Sequence, residues 1–147
     1  MILYLDTSAL LRRYFRESYS DEVISRWRSA THIVTSFVTY AETIASIYRK
    51  KREADLPDTL IGRIVDSFHQ DWESFIRVEV NSGLNEYIHR IVERYPLRGF
   101  YAIHLASAVV IRERLPQDFL FVCFDERLLS AARSERFETF PPGNQRG

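Results

Sequence analysis

Three acidic residues in this sequence stand where carboxylates could act together. Asp6 and Asp125 each follow an apolar run directly, and Glu42 lies early in a helical pattern behind another apolar run. Singly, each has an ordinary explanation, because an Asp after a strand often caps the next helix. Carboxylates brought together raise each other's pKa unless a cation joins them. A hard ion such as Mg²⁺ or Mn²⁺ does so, and it can bind a phosphate oxygen and activate a water. The chemistry predicted for such a site is hydrolysis of a phosphodiester.

The elements that must position these acids alternate between short apolar runs and helical patterns. Strands are predicted at ILYL (2–5), HIVTS (32–36), RVEV (77–80), FLFVCF (119–124) and FETF (137–140). Helices are predicted over residues 9–15, 20–29, 37–52, 57–75, from 81 or 82 to 95, 101–115 and 126–135. This alternation predicts an α/β fold with a mainly parallel sheet flanked by helices. Since ligands bind beyond the carboxyl ends of such strands, we expect the three acids at one edge of the sheet.

Length and composition indicate a single domain over residues 1–140 with a flexible tail at 141–147. The charges balance at 20 Lys and Arg against 20 Asp and Glu, so no global field attracts nucleic acid or a membrane. The single cysteine, Cys123, excludes an internal disulfide and is expected to be a buried thiol. Without a secretory signal pattern or an apolar run long enough to span a bilayer, we expect a cytoplasmic protein with no membrane contact.

Four segments of the chain, in order from residue 2 to about 133, form a recognisable set. They are LYLDTSALLRRYF, TSFVTYAETIAS, LRGFYAIHLASA and FVCFDERLLSAAR. Together they resemble the signature blocks of the PIN-domain nucleases, in particular the VapC toxins of VapBC toxin–antitoxin pairs. The resemblance implies a PIN-like, Rossmann-like fold, a Mg²⁺- or Mn²⁺-dependent endoribonuclease acting on RNA, a homodimer and a cognate VapB-like antitoxin. Asp6, Glu42 and Asp125 match the first, second and last acids of the family, which implies that they are its catalytic metal ligands.

The remaining acid of the family normally opens the third block's helix, and Tyr101 stands at that position. A phenol is neutral at pH 7 and is a poor ligand for a hard cation. We therefore expect metal affinity and turnover below those of an intact site. Neither Glu113, about 18 Å away along the same helix, nor Glu126 is an evident substitute.

Five further residues are candidate supporting groups. Ser8 is expected to donate a hydroxyl or hold a water, and His104 to pack or hydrogen-bond rather than to ligate metal. Arg12, Arg13 and Arg98 are candidate phosphate contacts, but they could equally be surface charges or partner contacts.

Two other functions compete with the nuclease hypothesis. An inactive PIN scaffold would keep the fold and the antitoxin-binding groove without chemistry, which Tyr101 favours. Alternatively, Asp6 could be an aspartyl nucleophile of the haloacid dehalogenase type, although Ser8 stands where those enzymes carry a second Asp.

A set of apolar residues is predicted to supply surface for the dimer or the antitoxin. The members of this set are Phe37, Tyr48, Leu60, Ile64 and Phe68. The last three belong to a helical stripe that continues to Phe75 and is interpreted as core or dimer face.

Overall fold

Five strands form one parallel sheet in the computed structural model, which describes residues 1–143. The strands are β1 (Ile2–Leu5), β2 (His32–Ser36), β3 (Ile76–Val78), β4 (Phe119–Val122) and β5 (Glu138–Phe140). Their order across the sheet is β3-β2-β1-β4-β5, and all four pairings are parallel. The predicted α/β fold with a mainly parallel sheet is therefore confirmed.

Seven helices connect and flank these strands within the described part of the chain. They are α1 (Thr7–Leu11), α2 (Ser20–Ser29), α3 (Val38–Ala54), α4 (Asp58–Ser74), α5 (Asn85–Arg94), α6 (Gly99–Arg114) and α7 (Glu126–Ser134). The prediction of a first helix over residues 9–15 is wrong in its bounds, because Asp6 caps the chain immediately after β1. Strand β3 ends at Val78 rather than at residue 80, because β2 ends opposite it at Ser36 and offers no further partner.

The sheet is covered on both faces by helices that bury apolar side chains. Ile2 and Tyr4 face a cluster built mainly from α5, α6 and α7. Leu3 and Leu5 face the opposite cluster, to which α1, α2 and α4 contribute. Side chains therefore alternate along β1 and leave its carboxyl end, at Asp6, between the two layers.

The apolar stripe of α4 is largely core. Phe68 is fully buried and Ile64 nearly so, which makes their prediction as partner-facing surface wrong. They pack inward because α4 lies against the sheet and against α1 and α3. Phe37, Tyr48 and Leu60 remain exposed by 43%, 41% and 37%. The predicted interface can therefore use only these three members of its set.

Three smaller features complete the fold. Cys123 is buried, and this burial raises the pKa of its thiol. Within residues 1–143 no helix is both long enough and apolar enough to cross a membrane. Of the predicted tail at 141–147, residues 144–147 lie outside the described residues, and the Pro141 carbonyl accepts a hydrogen bond from Arg133.

Candidate metal centre

Asp6 is held rigidly at the carboxyl end of β1. Its Oδ1 accepts hydrogen bonds from the Ala9 backbone N–H at 2.9 Å and from the Ser8 hydroxyl at 2.7 Å. No donor in residues 1–143 is hydrogen-bonded to Oδ2. The residue is only 2% exposed, and burial raises the pKa of its carboxyl against the opposing effects of His104, Ala9 and Ser8. Asp6 is thus a buried carboxylate with one oxygen uncommitted.

Ser8 links the ends of β1 and β4. Its hydroxyl donates to Asp6 and accepts a hydrogen bond from the Phe124 backbone N–H at 3.0 Å. Because Phe124 directly precedes Asp125, this bond ties the loops that carry the two aspartates together. The structure therefore places Ser8 beside the candidate acids as a positioning group.

Glu42 reaches the same edge from α3. Its Oε1 accepts hydrogen bonds from the Thr7 hydroxyl at 2.7 Å and from His104 Nε2 at 2.9 Å. Partial burial disfavours its charge, but the hydrogen bond and charge of His104 and the hydrogen bond of Thr7 outweigh burial and lower its pKa. The ionised form is favoured, and within the described chain Oε2 receives no hydrogen bond.

His104 is a buried connection between Glu42 and the core. It is 1% exposed, and its Nδ1 lies 2.9 Å from the Tyr4 hydroxyl. When a neutral His104 donates a hydrogen bond from Nε2–H to Glu42, its Nδ1 carries no proton and accepts the hydrogen bond of the Tyr4 hydroxyl. Thr7 directly, and Tyr4 through His104, thereby fix the orientation of Glu42, although nothing in the sequence marks either residue as part of the site.

Asp125 and Tyr101 lie together at the other side of this edge. Asp125 caps α7, with Oδ1 accepting from the Leu128 backbone N–H at 2.9 Å. Tyr101 is half-buried in the first turn of α6, and burial followed by the charges of Asp125 and Asp6 raises the pKa of its phenol. The side chain at the expected position of the fourth acid therefore lines the same pocket as Asp125.

The three acids supply the donor chemistry of a hard cation site. In Asp6 and Glu42 the protein donors bind one oxygen, and in residues 1–143 the other oxygen accepts no hydrogen bond. Asp125 accepts from the Leu128 N–H at Oδ1, and its carboxylate also interacts with the Tyr101 hydroxyl. Mg²⁺ and Mn²⁺ prefer such oxygens. The same range holds no group of three or more His, Cys, Asp or Glu side chains that could hold a metal ion as they stand. The oxygen donors match the preference of the ion, but the structure does not group the three acids around a common metal position.

The three arginines predicted as phosphate contacts differ in their surroundings. Arg12 donates to the Ser8 and Ser18 carbonyls at 2.8 and 2.9 Å and stacks on Phe124. Arg13 donates to Asp71 at 2.8 Å. Arg98 is exposed and makes no ion pair or side-chain hydrogen bond with the described residues. Of the three, Arg98 is the guanidinium that the fold leaves available near the acids.

Neither Glu113 nor Glu126 supplies the carboxylate that is missing at Tyr101. Glu113 accepts a hydrogen bond from the Tyr87 hydroxyl at 2.8 Å, near the far end of α6. Glu126 is exposed on α7 and is not among the residues that line the pocket containing Tyr101 and Asp125.

The parallel sheet and the aspartates that follow β1 and β4 agree with the PIN-like fold that the four sequence segments imply. The PIN domain family model matches this chain over residues 3–134. The chain therefore belongs to the PIN domain family.

Several known proteins are similar to this chain in sequence or in fold. Ribonuclease VapC45 of Mycobacterium tuberculosis is 23% identical over 133 residues, which are 90% of each chain. The solved structure of FitAcB from Neisseria gonorrhoeae has a TM-score of 0.69 at 14% identity, covering 95% of this chain and 96% of the other. A toxin–antitoxin complex from Klebsiella pneumoniae has a TM-score of 0.62 at 15% identity, covering 88% and 91%. At these identities the structures show a shared fold.

Proposed function

We propose that this protein is a VapC-like endoribonuclease that hydrolyses RNA phosphodiester bonds with Mg²⁺ or Mn²⁺. The observation that carries the proposal is the placement of three carboxylates, from three elements, at the carboxyl edge of the sheet, with one oxygen of Asp6 and one of Glu42 accepting no hydrogen bond within residues 1–143. The similarity to a protein named as a ribonuclease supports the reaction class.

The residues of the chain have distinct tasks in this proposal. Asp6, Glu42 and Asp125 would hold the ion, which when bound supplies a Lewis acid for the phosphate and a water of lowered pKa. Ser8 and the Ala9 N–H fix the Asp6 carboxylate, and the hydrogen bonds from Thr7 and His104 keep Glu42 ionised and oriented. Preorganised groups of this kind lower the cost of assembling the reacting geometry.

Tyr101 limits the expected turnover. Its phenol adds no negative charge where the family carries a fourth acid, so fewer carboxylates offset the charge of the ion. The same observation favours a second candidate function, a PIN scaffold that binds its partner without catalysis. The intact Asp6, Glu42 and Asp125 are the reason we place the nuclease first.

A cleavage assay decides between the two functions. Purified protein is incubated with a single-stranded RNA in Mn²⁺ or Mg²⁺ and, separately, in EDTA. The nuclease proposal expects slow cleavage that requires the metal and stops in EDTA. Cleavage that persists in EDTA contradicts the metal mechanism, and no cleavage at any metal concentration favours the scaffold.

The proposal also includes a homodimer and a VapB-like antitoxin, in a cytoplasmic location. The similarity of fold to a toxin–antitoxin complex supports the antitoxin. The exposed side chains of Phe37, Tyr48 and Leu60 offer apolar surface for one of the two contacts. Light scattering should give the mass of two chains for the purified protein, and a strictly monomeric mass would contradict the dimer.

A further inference from the structure

A pocket of about 250 Å³ lies beside the candidate acids. Its wall contains Arg98, Tyr101, Asp125 and Arg127, together with Pro96 and Leu97. The pocket thus lies between the start of α6, with the loop before it, and the first turn of α7. It opens directly next to a proposed metal ligand, where part of a bound substrate would have to lie.

The charged groups of this wall are predominantly positive. Arg98 and Arg127 are both exposed, and neither makes an ion pair or a side-chain hydrogen bond with residues 1–143. Asp125 is the single carboxylate in the wall, and its Oδ1 is already bonded to the Leu128 N–H. Two guanidinium groups in the wall stand against one carboxylate, and the Asp6 carboxylate lies close enough for its charge to act on Tyr101.

Tyr101 adds no negative charge to this wall. An Asp at the same position would add a further carboxylate, whereas a phenol is neutral near pH 7 and carries a hydroxyl that can donate a hydrogen bond. Guanidinium groups bind phosphate oxygens through charge-assisted, bidentate hydrogen bonds. The wall therefore offers the donors that a phosphate group requires.

We propose that Arg98, Arg127 and Tyr101 form a binding site for one phosphate group of an RNA chain, adjacent to the phosphate that is cleaved. The identity of the polymer rests on the proposed function. The anion site itself depends only on the three side chains, and it gives the tyrosine a task that is independent of metal.

The binding test uses the full-length protein in EDTA, with adenosine 5′-monophosphate as the probe and adenosine as the uncharged comparison. Calorimetry or protein NMR should detect the monophosphate and not adenosine. Arg98→Gln and Arg127→Gln should each weaken binding about fivefold, the scale of one exposed charged contact. Arg28→Gln is the matched control, because Arg28 is also exposed and has no ion pair or side-chain hydrogen bond within residues 1–143.

Two variants at position 101 distinguish the contribution of the Tyr101 hydroxyl to phosphate binding from the effect of a negative charge at that position. Tyr101→Phe should weaken monophosphate binding less than the arginine variants do, since it removes one neutral donor. Tyr101→Asp should remove binding in EDTA, because it adds a second carboxylate to the pocket. Circular dichroism confirms that each variant is folded before its binding is compared.

Several results would overturn the site. These are no binding of the monophosphate, equal binding of adenosine, or an equal loss in Arg28→Gln and Arg98→Gln. An acidic peptide that competes as well as RNA would assign the pocket to a protein partner and overturn the assignment to RNA. Monophosphate binding without RNA cleavage would contradict the nuclease and retain the anion site. Metal-dependent cleavage without monophosphate binding would contradict the anion site and retain the nuclease.

Discussion

Tyr101→Asp is expected to raise the affinity for Mn²⁺ or Mg²⁺ by about tenfold or more, which is ~1.4 kcal/mol of binding free energy. The substitution places a carboxylate in the first turn of α6, where the helix N-terminus favours an anion. The new group would face Asp125 and Asp6, whose charges already act on the Tyr101 phenol. Isothermal titration calorimetry of the parent and the variant measures the change directly.

Tyr101→Phe is the matched control, because it removes the same hydroxyl and adds no carboxylate. Its metal affinity should stay at the parental value. At saturating RNA, where loss of a phosphate contact does not limit the rate, metal-dependent cleavage should rise in Tyr101→Asp together with metal affinity, and EDTA should abolish it. Equal affinity in the parent and Tyr101→Asp would show that position 101 is not the missing ligand. Higher affinity without cleavage would instead support the scaffold function.

The positions of the two aspartates could be predicted because they depend on local pattern and one rule of topology. Asp6 and Asp125 follow apolar runs, and parallel strands bring their carboxyl ends to one edge. The neighbouring pair β1 and β4 then places both acids close together in the fold. No knowledge of side-chain packing was needed for this step.

The contacts that orient Glu42 could not be predicted in the same way. His104 is 62 residues from Glu42 and 100 residues from Tyr4 along the chain, so only tertiary packing brings the three together. Tyr4 lies inside an apolar strand pattern, where nothing in the sequence distinguishes a hydrogen-bonding phenol from a core aromatic ring. The same limitation explains the wrong prediction for Phe68, since the spacing of apolar residues along a helix does not reveal whether they face the core or a partner.

Asp6→Asn is expected to abolish stabilisation of the protein by metal while leaving the metal-free fold intact. A ligand at ten times its dissociation constant stabilises the native state by ~1.4 kcal/mol, which is roughly 4 °C in Tm for a domain of this size. The parent should show this shift with Mn²⁺, and Asp6→Asn should not. The Asn side chain keeps an oxygen that can accept the Ala9 N–H and cap α1, so the substitution tests the charge rather than the helix.

The metal-free Tm of Asp6→Asn should be equal to that of the parent or higher. Burial raises the pKa of Asp6, so its ionised form destabilises the folded state at neutral pH, and a neutral amide removes that cost. Asp66→Asn serves as the control, because Asp66 is exposed on α4 and should leave the metal shift unchanged. Loss of the shift in both variants would indicate non-specific binding, and retention in both would remove Asp6 from the ligand set. With these results, Asp6 would destabilise the metal-free protein and still be required for stabilisation by metal. Function, rather than stability, would then explain why a carboxylate is buried at this position.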